Sequence, residues 1–139
     1  MKLIAALFLI TAISATVIAD TPELKFRDMY SQGQDFSELI ESLEGERVTI
    51  TGFMAPPLKP DAEFFVLTKM PMAVCPFCEA EADWPDDIVF VRMEKDFRPV
   101  YFNAPIEVEG VLQLGVDIDD ETGFVSLVRL TEADYRIKR

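Results

Sequence analysis

From Arg47 onward the hydrophobic period of this chain is two. Arg47-Val48-Thr49-Ile50-Thr51-Gly52-Phe53-Met54 alternates polar and apolar residues, the pattern of a strand with one buried face. Phe64–Thr68 and Ile88–Met93 are short and mostly apolar, Ile106–Leu112 alternates cleanly, and Phe124–Leu130 completes the set. Ala55–Asp61 carries Pro56, Pro57 and Pro60 and is a loop, because proline removes a ladder donor. Asp117–Gly123 is a polar turn that joins the last two runs as a hairpin. Five short strands with one wet face must bury the other face and hide their edges, which a small closed or partly closed barrel does. Gly52 and Gly110 stand in the first and fourth strands, where a barrel strand bends. The expected fold is mainly β: a small five-stranded OB-like barrel. An open sheet backed by a helix is the alternative.

Ahead of the strands the period is 3.6. Thr21-Pro22 reads as an N-cap with proline at the first helical position, opening a short helix or arm that stops by Gly33. Asp35–Glu44 predicts a helix. Asp35 and Glu38 form a variant capping box, Phe36, Leu39, Ile40 and Leu43 make one apolar stripe, and Gly45 follows as a left-handed cap.

The chain opens differently again. Met1-Lys2 precedes Leu3–Ala19, a run without a charge that ends Val17-Ile18-Ala19 before Asp20. A basic start, an apolar stretch and small residues at its end describe a secretory signal cut after Ala19. An uncleaved anchor is the alternative, since the run reaches the lower limit of a spanning length. With no Cys at the cut, a lipoprotein is not indicated. The organisation expected is a signal peptide over 1–19, an N-terminal helical segment over 20–45 and a β-barrel domain over 46–139. The expected location is the periplasm, with no stable membrane insertion after cleavage.

The 139 residues hold 13 Lys and Arg against 25 Asp and Glu, and no His. Losing the leader removes Lys2 and no acid, taking the net charge from −12 to −13. Such a charge repels phosphate backbones, so no nucleic-acid partner is expected. Without His there is no Ser-His-Asp triad, no Cys-His pair and no imidazole ligand. The glycines are isolated, so no phosphate-cradling loop is present. The reading is of a binding module rather than an enzyme.

The chemically loaded segment is Lys69–Pro85. It holds both cysteines, Cys75 and Cys78, as C-P-F-C, with Met70 and Met72 before them and Glu79, Glu81, Asp83, Asp86 and Asp87 after. Three readings stand together. C-P-F-C resembles the glutaredoxin active-site sequence, which would make the pair a thiol–disulfide redox centre. In that fold, however, the motif opens a long helix of a βαβ unit, whereas Pro85 limits any helix here to a short insert. Five nearby carboxylates also raise a thiol pKa, against the needs of a reactive thiolate.

A metal site is the second reading. Two thiolates at this spacing are half of a tetrahedral zinc site; without His, carboxylates, water, or the same pair from a second subunit, in a dimer, would complete it. Thioethers with thiolates favour copper(I), so Met70 and Met72 are secondary candidate ligands, though methionines more often pack in a core. The third reading is a local disulfide, suited to an oxidising compartment and worth about 2 kcal/mol or less for so short a loop.

Other features read as structure. Asp117-Ile-Asp119-Asp120-Glu121-Thr-Gly123 fails the EF-hand pattern, with Thr122 at the sixth position and Val128 at the twelfth, and is better taken as a hairpin turn. Trp84 beside Pro85 is expected to cap the core. Phe53, Phe64, Phe65, Phe90 and Phe102 are expected in it.

From Gly45 to Leu130 the chain resembles the exported bacterial family called domain of unknown function 3299. The matching residues are Arg47–Leu58, Phe64–Leu67, the Cys75 segment leading into Ile88–Val91, Pro105–Val111 and Leu127–Arg129. The resemblance implies a small exported β protein associated with ABC-transporter components or other envelope proteins, in some members in a metal-uptake setting. The chain departs from the family at the cysteine segment, where relatives carry a single Cys and a nearby His. The resemblance assigns no reaction. The expectation is an exported accessory or binding protein that works through the Cys75–Cys78 loop.

Overall fold

A computed structural model describes residues 20–57, 59–74 and 84–139. The expected signal peptide and the expected helical insert carrying Cys75 and Cys78 lie outside the described residues. The elements are a single 3-10 turn (Phe26–Asp28), where the sequence suggests a short helix or arm opening at Thr21-Pro22, then α1 (Glu38–Ser42) and strands β1 (Arg47–Met54), β2 (Phe64–Thr68), β3 (Ile88–Met93), β4 (Pro105–Ile118) and β5 (Val125–Ile137). The strands close into a ring in the order β1-β2-β3-β5-β4, with β4 returning to β1. Every pairing is antiparallel except β3 with β5, which is parallel. This is the OB-like barrel that the alternation predicts, not the open sheet.

The first three strands have the predicted bounds. The last two continue past theirs, through two bulges that break the alternation. In β4, Gly115 and Val116 together oppose Leu127, between the pairs Leu114↔Val128 and Asp117↔Ser126, and Gly115 takes φ +96°. In β5, Glu132 and Ala133 together oppose Gly110, with Glu132 at φ +49°. That same extra residue shifts the β3–β5 register between Val91↔Leu130 and Met93↔Ala133. One bulge therefore bends β5 against both neighbours, as barrel closure requires.

The two strand glycines sit where chains approach most closely. A Cβ on Gly52 would lie 2.6 Å from the Thr68 carbonyl oxygen, and one on Gly110 would lie 3.0 Å from that of Thr131. At Gly52 the chain passes β2 just before the only two β1–β2 pairs, Phe53↔Thr68 and Met54↔Leu67.

The first half of β1 therefore lacks β2 as a neighbour, and the N-terminal segment takes that edge. Leu24 donates its N–H to the Thr49 carbonyl and Thr49 donates to that of Pro22, both at 2.9 Å. Leu24, Phe26, Met29 and Ile40 join Val48, Ile50, Phe65, Leu67, Val89, Val91, Ile106, Val108, Leu112, Val128 and Leu130 in one core. Each fully buried aliphatic or aromatic side chain contributes about 1.5–3 kcal/mol.

The N-terminal helix is shorter than its periodicity suggests. Ser37, not Asp35, is its cap: Ser37 Oγ accepts from the Ile40 N–H at 3.2 Å and donates to the Asp28 carbonyl at 2.6 Å. Asp35 is already committed, because its carbonyl accepts from the Ser31 N–H at 2.9 Å beside a Tyr30↔Phe36 bridge. Ile40 is buried, Phe36 and Leu43 are half-buried, and Leu39 is exposed. Gly45 ends the segment at φ +82° as a left-handed cap, its N–H on the Leu112 carbonyl at 2.8 Å. Among the described residues, no helix is long and apolar enough to cross a membrane.

Candidate functional site

β2 and β3 are buried on both faces. Phe65, Leu67, Val89 and Val91 point into the barrel core. On the outer face lie Phe64, Val66, Ile88 and Phe90, each at most 3% exposed. This outer face is where OB barrels bind oligonucleotides and oligosaccharides. Here the chain covers it with its own side chains. Phe64 stacks on Phe90 at 4.4 Å between centroids, and Phe124, from the β4–β5 turn, lies 5.8 Å from each. Trp84 meets Phe124 edge-on at 6.3 Å.

Ion pairs hold the β4–β5 turn over this layer. Arg92 Nη2 donates to Asp119 Oδ1 at 2.6 Å, and Lys59 Nζ donates to Glu121 Oε1 at 3.3 Å. Asp119 Oδ2 accepts from Thr122 N at 2.9 Å and from Thr122 Oγ1 at 2.6 Å. Burial raises the Asp119 pKa, and the hydrogen bonds from Thr122 and Arg92 outweigh it, so the carboxyl titrates below its usual value. The run with calcium-loop flavour is thus a hairpin turn, with Asp119 engaged by the turn and by Arg92.

The connection between β2 and β3 carries the predicted site residues. Cys75 and Cys78 lie outside the described residues. Met70 precedes them and is 60% exposed, which corrects the core-packing role, while Met72 is half-buried. Val74, next to Cys75, is 74% exposed. The base of the connection is well fastened. The Lys69 N–H donates to the Asp87 carbonyl at 2.9 Å, directly beyond the Thr68↔Ile88 pair. The Thr68 hydroxyl sits 2.7 Å from the Met70 carbonyl and 3.2 Å from that of Phe53.

Trp84 holds the returning arm. Its indole N–H donates to the Tyr30 hydroxyl at 3.1 Å, and its carbonyl accepts from Gln34 Nε2 at 2.7 Å. Burial pushes the Tyr30 phenol above its ordinary pKa; the Trp84 hydrogen bond opposes this and the Asp86 charge adds to it. Among the described residues, no group of three His, Cys, Asp or Glu side chains converges to hold a metal. Of the expected core phenylalanines, Phe64, Phe65 and Phe90 are buried and Phe53 is half-buried, but Phe102 is exposed, lying in the β3–β4 connection rather than on a strand.

Two groups escaped the sequence reading. Arg129, on β5, is buried and donates from Nη1 to the Gly115 carbonyl at 2.6 Å and to Ser126 at 3.3 Å. Its Nε lies 3.8 Å from Asp117. Burial lowers the Arg129 pKa, and Asp117 and Glu44 oppose that shift. The Arg92–Asp119 pair was equally hidden, since its partners stand 27 positions apart. A charge at every second strand position looks like a solvated face unless the residue facing it is known.

No protein-family model matches the chain, and no curated protein does. Its fold is similar to that in a crystal structure of a DUF3299 family protein from Pseudomonas aeruginosa PAO1. The match covers 87% of this chain and 98% of that one, at 15% sequence identity and a TM-score of 0.57. The chain has the fold of a protein of domain of unknown function 3299, the family that its strand and loop sequences resemble.

Proposed function

We propose that this chain is an exported accessory or binding protein whose working edge is the Cys75–Cys78 connection. One observation carries the reading. The β2–β3 face that OB barrels offer to ligands is filled by Phe64, Phe90, Phe124 and Trp84, while the neighbouring connection is clamped at its base and exposes Met70 and Val74. Two thiolates at C-x-x-C spacing suit zinc, and with a methionine thioether they suit copper(I). The β2–β3 pairing is antiparallel, so the motif does not join the parallel strands of the glutaredoxin βαβ unit. The family resemblance implies an ABC-transporter component as partner, and a net charge of −13 favours a basic face on it.

The test is thiol titration and metal analysis of the protein purified from the cell envelope. Two titratable thiols and one metal per chain or per dimer, both lost in C75S/C78S, support the reading. A disulfide with turnover against a model dithiol replaces it with a redox function. A disulfide with neither metal nor turnover leaves only a structural bridge.

A further inference from the structure

The far half of the β4–β5 hairpin stands clear of the ring. β1 pairs with β4 only as far as Arg47↔Val111. The turn after α1 continues that edge, with Gly45 and Glu46 on Leu112 and the Glu44 carboxylate on the Leu114 N–H. β3 meets β5 first at Phe90↔Arg129. Among the described residues, 115–118 and 125–127 therefore have only each other as strand partners. A two-stranded ribbon is marginal alone, but this one is held at both ends. Arg129 donates to the Gly115 carbonyl at its base, and Arg92 grips Asp119 at its turn. The result is a fixed, open sheet edge.

The side chains of this arm are sorted by face. Ile118 and Val125 oppose each other, and Val116 lies two residues before Ile118 on the same face. All three are more than half exposed. The other face carries Asp117, with Asp120 and Glu121 exposed in the turn beyond. Proteins blunt open edges with bulges and charges. Here the bulge ends at Val116, so 116–118 stay extended, and the guarding charge is negative. A second copy of the chain would set these acids against their own kind, on top of a net charge of −13 on each copy. A strand carrying lysine or arginine meets no such barrier.

We propose that 115–118 of β4 is a docking edge for an extended segment of another protein in which apolar residues alternate with Lys or Arg. The segment adds a strand beside β4. Its apolar side chains lie against Val116, Ile118 and Val125, and its cations lie over Asp117 and toward the acidic turn. Docking here needs neither Cys75 nor Cys78, so it stands or falls apart from the cysteine reading.

Amide NMR of the protein recovered from cells expressing the full chain tests this. The probe is the peptide Lys-Val-Lys-Ile-Lys-Val-Lys, with Glu-Val-Glu-Ile-Glu-Val-Glu as its counterpart. The lysine peptide is expected to shift the amides of 115–118 and 125–127. It should bind at least about tenfold more tightly than the glutamate peptide and weaken with added salt. V116S/I118S, polar on an already exposed face, weakens binding about tenfold, and D117N weakens it about two- to fivefold. Shifts absent with the lysine peptide, or confined to other residues, overturn the docking edge. Equal binding of the two peptides overturns it too, since charge then selects nothing. Dimers in sedimentation that revert to monomers in V116S/I118S assign the edge to a second copy, against the proposal. If V116S/I118S does not fold, D117N decides, and an unchanged affinity there overturns the proposal.

Discussion

The Arg92 guanidinium on β3 donates to the Asp119 carboxylate at 2.6 Å, and this contact fastens the β4–β5 turn across the outer face of the barrel. Asp119 is 7% exposed and also accepts two hydrogen bonds from Thr122. The other clasp, Lys59–Glu121, is solvated on both sides. Exposed pairs contribute about 1 kcal/mol or less, whereas buried hydrogen bonds to a charged group contribute about 1.5–3 kcal/mol. D119A is therefore expected to lower the unfolding free energy by about 2–3 kcal/mol, and E121Q by less than about 1 kcal/mol. Urea denaturation of the two variants checks this, and equal losses would refute the ranking.

The same carboxyl predicts a pH dependence. Its folded pKa is depressed, so its contribution is fully present above the unfolded Asp value of about 3.9. It is lost as pH falls through the lower folded value, because the unfolded chain takes up the proton first. Stability of the wild type should fall on acidification below about pH 4, and D119A should show a shallower fall. Parallel slopes for the two proteins between neutral pH and pH 3 would count against it.

Gly52 is required by contact rather than by backbone angle. A methyl group there would meet the Thr68 carbonyl at 2.6 Å and the Leu67 side chain at 3.0 Å. The first of these atoms is backbone, in one of the two pairs that join β1 to β2, so it has little room to yield. Overpacking of this kind costs about 1–3 kcal/mol. G52A should fall near the upper end and broaden the cooperative transition, as the β1–β2 seam loosens first. A G52A protein as stable as wild type would show that the seam adjusts freely.

How much of this was legible beforehand depends on which residues had only local duties. Val48, Ile50 and Met54 alternate with solvent-facing neighbours, so the bounds of β1 could be read directly. β4 and β5 were cut short because Gly115-Val116 and Glu132-Ala133 each spend two residues against one on the partner. A bulge reverses the alternation, and period-two reading stops there. Asp35 has the right spacing for a cap, but its carbonyl holds Ser31, a contact that spacing does not reveal. The cysteine pair was visible as a motif. The support at Trp84 was not, because Tyr30 and Phe124 reach it from opposite ends of the chain.

The proposed export carries a prediction that needs no variant. Val17-Ile18-Ala19 suits a signal peptidase, and the first residues after it are used by the fold, with the Pro22 carbonyl accepting from Thr49 and Leu24 fully buried. Cleavage after Ala19 leaves only Asp20 and Thr21 ahead of that contact. Intact-mass measurement of the protein recovered from cells expressing the full chain should give a chain beginning at Asp20. A mass that retains the leader would establish an anchored form.

Arg129 tests whether the β4 bulge is held by charge or by hydrogen bonding. Its Nη1 serves the Gly115 carbonyl at the bulge and the Ser126 carbonyl and hydroxyl, while Asp117 stands at 3.8 Å with a side chain 60% exposed. In water the Asp117 charge is well screened, so D117N should cost less than about 1 kcal/mol. R129M keeps the apolar stem but leaves the half-buried Gly115 and the buried Ser126 acceptors without their donor, at a cost of about 2–3 kcal/mol. If hydrogen bonding dominates, R129M is severe, D117N is mild, and R129K, whose ammonium cannot reproduce the planar fork, restores only part of the loss. If charge dominates, R129K recovers most of the stability and D117N approaches R129M. Thermal unfolding of the three variants separates the two cases, and the geometry at Gly115 predicts the first.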